Sequence, residues 1–206
     1  MRTRKDIQKR MKESIAERGK TPSMKIEKGM WKKLSVNANQ DYVNDYGGPD
    51  YENTVVLDIG CALHTPDFFL SKGAGHVIAI DIGRMEDIIE YAEKFGQVTP
   101  LVMKIENHEQ LEELYLKYWP DVVKLDCEGC EAHILRLNEN IFRIPEWYVM
   151  ETHDRGHRRV QFFKNHNIEN LHGKIKGKLK HCGYEIVFDV TRRHDTGILK
   201  AKRLNL

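Results

Sequence analysis

Two pairs of residues carry most of the chemistry that can be read from this chain. Asp126 and Glu128 follow the run VVKL, and Glu151 and His153 follow WYVM. In an extended strand, side chains two residues apart leave from the same face. If the two runs are neighbouring strands, all four ionisable groups meet at one edge of a sheet. Such a cluster can face a cationic centre and move a proton. Histidine suits the second task because its ordinary pKa lies near neutrality and a neighbouring carboxylate orients the ring and stabilises the imidazolium. We therefore expect His153 as a general base, with Asp126, Glu128 and Glu151 beside it. Glu131 follows Glu128 by three positions at the start of an expected helix, where an acid capping the positive helix end is an equally good reading.

A second set of residues is built for binding. Residues 54–81 read as a strand, a glycine turn at Gly60, a helix and a second strand closed by Asp81. A nicotinamide-binding turn would show G-x-G-x-x-G, so that the backbone can approach a pyrophosphate. This turn has a single glycine, and Asp58 at the end of the first strand would repel a pyrophosphate. The same carboxylate suits a ligand carrying an ammonium and a sulfonium, which describes S-adenosylmethionine. On this reading Asp58 contacts the ammonium directly or through water. Gly60, Cys61 and Ala62 leave room for the ligand against the backbone, Asp81 accepts from the two ribose hydroxyls with Ile82 beside it, and Asp126 borders both ligand and reaction.

Cys127 and Cys130 form a C-x-x-C. A structural zinc site needs two further ligands at matching spacing, and no second C-x-x-C or paired histidine motif is present, so neither zinc nor thiol redox chemistry is expected. No metal is assigned to the acidic cluster either. Four cysteines without a repeating framework fit a reduced, cytoplasmic compartment rather than a secreted disulfide scaffold.

The elements that must position these residues alternate. Strands are expected over 54–58, 76–81, 99–104, 121–126 and 146–152, and helices over 65–72, 84–95, 107–118 and 130–138. That order implies an α/β fold with a parallel sheet and helices on both faces. A polar helical stretch over 157–181 precedes two final strands, 184–190 and 198–203, joined by a turn at 193–197. This terminal hairpin is expected to put an antiparallel strand on the sheet edge. Residues 4–18 carry Ile7, Met11 and Ile15 on one narrow stripe, an amphipathic helix suited to docking or homo-oligomer formation. Residues 35–53 read as a loop able to fold over a ligand. The division is a basic N-terminal extension over 1–50 and a ligand-binding domain over 51–206.

Three segments together resemble the FkbM-type methyltransferases, a branch of the class I S-adenosylmethionine enzymes. LDIGCALHTPDFFLSKGAGHVIAID is similar to the family's opening motif. DVVKLDCEGCEAHIL is similar to its K-I-D-x-E-G-x-E signature, carried by Lys124, Asp126, Glu128, Gly129 and Glu131. YVMETH is similar to its E-x-H strand, and GYEIVFDV with GILKAKRL to its closing strands. The resemblance implies a Rossmann-like fold with a mostly parallel seven-stranded sheet, an antiparallel C-terminal strand, and methyl transfer to a hydroxyl of a sugar or other small metabolite.

Charge is segregated along the chain. Residues 1–33 hold 12 Lys/Arg against 4 Asp/Glu, residues 34–154 hold 8 against 23, and residues 155–206 hold 13 against 4. An acidic central part repels polyanions. The basic ends, including KIKGKLK over 174–180, admit an alternative, an RNA methyltransferase with those ends on phosphates. The simpler expectation is that they pack against or steer toward the acidic part. A non-catalytic Rossmann-like binding protein is the remaining alternative. No apolar run approaches the roughly 18 residues of a membrane helix, so no membrane span is expected.

Overall fold

A computed structural model describes residues 44–61, 65–83, 89, 92, 96–154, 169–192 and 196–204. The stripe of Ile7, Met11 and Ile15, the site residue Ala62, most of the expected 84–95 helix, the first part of the 157–181 stretch and the first three residues of the 193–197 turn lie outside these residues.

Seven strands form one sheet: β1 (Val55–Ile59), β2 (His76–Asp81), β3 (Val98–Val102), β4 (Val122–Leu125), β5 (Trp147–His153), β6 (Tyr184–Arg192) and β7 (Thr196–Arg203). Their order is β3-β2-β1-β4-β5-β7-β6. Strands β1 to β5 pair in parallel, while β7 is antiparallel to both β5 and β6. The antiparallel strand is therefore second from the edge, and the edge strand β6 runs with the parallel set. This corrects the expectation of an antiparallel edge. The hairpin folds back with its second strand inward: Ile198, Leu199 and Ala201 of β7 are fully buried, whereas Val187, Phe188 and Val190 of β6 remain exposed although both strands are rich in apolar residues.

The central strands are buried along their whole length, as parallel strands covered on both faces must be. Alternation then divides them between two cores. Leu57 and Ile59 face the larger one, with Leu111, Leu114 and Tyr115 of α2 (His108–Tyr118) and Leu171, Ile175 and Leu179 of α4 (Leu171–His181). Val56 faces the other, formed with Phe68 and Phe69 of α1 (Thr65–Ser71) and with Tyr46 and Tyr51. Asn107 and Asn170 cap α2 and α4 by accepting from the N–H groups of Gln110 and Gly173.

Two local differences bear on the site. Residues 130–136 form a 3₁₀ helix rather than the expected α-helix, followed by a short α3 (Glu139–Phe142) started by the Asn138 cap. The segment before β1 is also part of the packed body: Lys200 Nζ donates to the carbonyls of Asn44 (2.5 Å) and Gly47 (2.7 Å), and Tyr46 is buried.

Candidate active site

The order β2-β1-β4 reverses between β1 and β4, and in an open α/β sheet ligands bind in the crevice outside the strand ends at such a point. Gly60 stands there with φ of 73°, and a Cβ at this position would lie 1.8 Å from the Asp126 carbonyl oxygen. The Gly60 and Cys61 N–H groups donate to the Ile80 carbonyl (2.8 and 3.1 Å), and the Asp126 N–H to that of Ile59 (3.0 Å). The turn is thus fastened to β2 on one side and pressed against the end of β4 on the other. The glycine is required by this contact, in addition to any room it leaves for a ligand.

Asp58 sits beneath the turn, not on its surface. Its carboxylate is fully buried, accepts from Thr65 Oγ1 at 2.5 Å and pairs with Lys124 Nζ at 3.0 Å. Lys124, also fully buried, donates to the Gly60 carbonyl at 2.6 Å. Burial raises the Asp58 pKa, with Lys124 and Thr65 pulling it back. Burial would lower the pKa of Lys124, but Asp58 and Asp126 carry it above its ordinary range. Asp58 is thereby part of a buried ion pair that holds the turn from below.

Asp81 is partly exposed at the end of β2, and one of its carboxylate oxygens accepts from the N–H groups of Ile82 (2.6 Å) and Gly83 (3.1 Å). Ile82 beside it is 71% exposed, and Cys61 is buried, its thiol kept protonated by burial and by Asp58.

The second cluster assembles as the sequence implies. Oxygen and nitrogen atoms of Asp126, Glu151 and His153 lie within 4.8 Å of one another. His153 Nε2 is 3.9 Å from Asp126 Oδ1 and 3.8 Å from Glu128 Oε2. The reason is register: β4 and β5 are parallel neighbours with Leu125 opposite Met150, so both chains reach the edge together.

Glu131 belongs to the cluster, which settles its two readings together. It is fully buried; Oε1 lies 2.9 Å from His153 Nδ1 and accepts from the Cys127 N–H at 3.0 Å, and Oε2 accepts from the Gly129 N–H at 2.7 Å. It caps the turn and holds the histidine. Burial by itself would lower the His153 pKa, but the hydrogen bond and charge of Glu131, joined by Asp126 and Glu128, carry it up to about 9.

Cys127 and Cys130 are joined by a disulfide, with their Cα atoms 5.4 Å apart. This corrects the expectation of four reduced cysteines without a bridge. The cause is the turn between them, where Glu128 and Gly129 both adopt positive φ (56° and 119°) and bring the two cysteines round to face each other.

Tyr46 is the member of the site that the sequence reading missed. Its hydroxyl donates to Asp126 Oδ2 at 2.8 Å and its ring lies 5.2 Å from Lys124 Nζ. Burial, then the charge and hydrogen bond of Asp126, push the phenol far above its ordinary pKa, so it acts as a donor. The signal was three tyrosines, Tyr42, Tyr46 and Tyr51, in a stretch otherwise composed as a polar loop.

With this geometry in hand, the likenesses to solved structures can be placed. The chain has the fold of class I methyltransferases. It superposes on fibrillarin from Aeropyrum pernix, solved with natively bound S-adenosyl-L-methionine, with a TM-score of 0.53 and 16% identity over 80% of this chain and 73% of that one. The magnesium protoporphyrin IX methyltransferase of Synechocystis PCC 6803, with bound S-adenosylhomocysteine, gives 0.51 and 16% over 82% and 80%. A 1,6-didemethyltoxoflavin-N1-methyltransferase from Burkholderia thailandensis, solved with bound 1,6-didemethyltoxoflavin and S-adenosylhomocysteine, gives 0.51 and 15% over 97% and 88%. No protein-family model matches the chain, and no curated protein matches it in sequence.

The basic helix α4 is less available to phosphates than its composition implies. Lys178 Nζ donates to the carbonyls of Leu135 (3.0 Å) and Leu137 (2.7 Å), and Lys176 pairs with Asp189. Among the described residues no helix is long and apolar enough to cross a membrane.

Proposed function

We propose that this chain is an S-adenosylmethionine-dependent methyltransferase acting on a hydroxyl of a sugar or other small metabolite, as the FkbM-type enzymes it resembles would do. The observation that carries the reading is the position of the His153 cluster. It stands at the ends of β4 and β5, beside the switch point marked by Gly60, on a fold whose solved examples hold S-adenosylmethionine or its product.

The residues fit that ligand. Asp81, anchored through one oxygen by two backbone N–H groups, offers carboxylate acceptors to a ribose diol, and the exposed Ile82 gives a flat ring an apolar surface. The Gly60 turn presents small residues between Asp81 and Asp126, and the acidic edge beyond favours a cationic group. When bound, the ligand supplies a methyl group activated by its sulfonium for in-line displacement.

The chain's own contribution is alignment and proton removal. Glu131 takes the Nδ1 side of His153, which leaves Nε2, on the side of Asp126 and Glu128, to receive the proton of an acceptor hydroxyl. The neighbouring carboxylates stabilise the imidazolium that forms. They also keep the ring protonated at neutral pH in the free protein, so kcat/KM is expected to rise with pH toward about 9.

Transfer of a labelled methyl group from S-adenosylmethionine to a panel of sugars, polyols and RNA tests this. His153→Ala should lower turnover roughly 10²- to 10⁴-fold with cofactor affinity nearly intact. Undiminished turnover in that variant would remove His153 from the reaction, and labelling of RNA alone would replace the acceptor class.

A further inference from the structure

The disulfide lies at a junction between the two halves of the site. Its loop begins at Cys127, whose Cα would be 3.0 Å from a Cβ on Gly60, and ends at Cys130, the first residue of the 3₁₀ helix. Inside the loop, Glu128 holds a left-handed conformation that costs a non-glycine residue energy and persists only where its surroundings enforce it. Two of the loop's N–H groups, those of Cys127 and Gly129, donate to Glu131, and the same carboxylate grips His153. The covalent bridge, the strained turn, the buried carboxylate and the histidine form one continuous chain of contacts.

We propose that Cys127–Cys130 is a reversible thiol–disulfide site whose bonded state assembles the Glu131–His153 pair and whose reduced state loosens it. Opening the bridge removes the covalent closure of a four-residue loop and lets Glu128 leave its positive φ. The two N–H groups that hold Glu131 then move with the loop. Reduction by a small thiol such as glutathione proceeds through a mixed disulfide. The S–S bond breaks, two S–H bonds form with two electrons and two protons, and two glutathione molecules leave as their own disulfide; oxidised glutathione reverses each step. Cys127 is the entry point, since it is partly exposed whereas Cys130 is buried. The site itself stands whether or not the chain transfers methyl groups; only its consequence for turnover rests on that reading.

The test equilibrates the full chain in glutathione buffers of graded ratio, quenches it under denaturing conditions with an alkylating mass tag, and counts thiols. Cys61 and Cys182 are buried thiols outside the bridge, so two tags are expected in the oxidised protein and four in the reduced one. The His153 ring is then titrated by NMR in both forms. Glu131, Asp126, Glu128 and Glu151 surround it, and loosening the first of these should lower the midpoint by about one unit on reduction. A Cys127→Ser/Cys130→Ser variant should titrate as the reduced form does and ignore the glutathione ratio. Four tags at every ratio, or the same His153 midpoint in both forms, would overturn the proposal. Calorimetry with S-adenosylmethionine on each form keeps the two questions apart: binding by neither form sinks the methyltransferase reading, while thiol count and His153 midpoint still decide this one.

Discussion

The two sides of the β1/β4 switch point are built on opposite principles. On the Gly60 side the charged groups are fully buried, and Asp58, Lys124 and Thr65 satisfy one another beneath a turn that touches two strands. On the His153 side, carboxylates crowd a single histidine at a partly open edge, and the like charges around it are left in tension. The first arrangement fixes shape. The second stores reactivity, since a histidine held with a raised pKa among acids is poised to exchange a proton. A mutation on the first side should therefore appear as lost stability, and one on the second as altered chemistry or pH response.

The hardest break is Gly60→Ala. The new methyl group would lie 1.8 Å from the Asp126 carbonyl oxygen on a backbone at positive φ, so either the turn or the end of β4 must move. Urea unfolding should show a loss above about 4 kcal/mol, in the range reserved for severe core errors. Wild-type stability would mean that the two strand ends are not in contact.

Breaking the buried pair comes next. Asp58→Ala leaves Lys124 buried without its counter-charge, which should cost about 3 to 5 kcal/mol. The double change Asp58→Leu with Lys124→Met should recover a good part of that, because the desolvation of both charges is removed. Asp58 as a surface ligand contact would instead give a small stability change and a large loss of affinity.

How much of this contrast could be read from the sequence follows from what each side depends on. Asp126, Glu128, Glu151 and His153 were legible because alternation is a property of local pattern and successive strands of an alternating α/β order are usually neighbours. Gly60 and Asp81 were legible for the same reason, as punctuation at strand ends. The burial of Asp58 was not, because it depends on Lys124 arriving from a strand 66 residues later, and only the parallel register places Asp58 opposite Lys124. Glu131 looked like a cap because the capping contact is local while its grip on His153 is not. Tyr46 was lost in a stretch composed like a loop, since composition does not say what a loop packs against. The inward position of β7 was missed because both hairpin strands contain β-branched residues, and only the sheet decides which of them is covered.

The two sides also differ in response to pH. The His153 pKa, about 9 in the folded protein, lies above the ordinary value of 6.5 expected on unfolding. Its contribution, on the order of a few kcal/mol, is therefore complete below about pH 6.5 and disappears as pH rises through about 9. Denaturation midpoints of wild type and His153→Gln should differ most near pH 6 and converge above pH 9. A constant gap would place the stabilisation elsewhere.

The smallest expected effect bears on the central claim, that the crevice at this switch point takes S-adenosylmethionine. Calorimetry of wild type and Asp81→Ala with S-adenosylmethionine measures it directly. The expected result is saturable binding to wild type at one site per chain and a loss of ~1.5 to 3 kcal/mol in the variant, the worth of hydrogen bonds to a charged group, with unfolding stability almost unchanged. No heat of binding to wild type, or equal affinity in the two proteins, would contradict it.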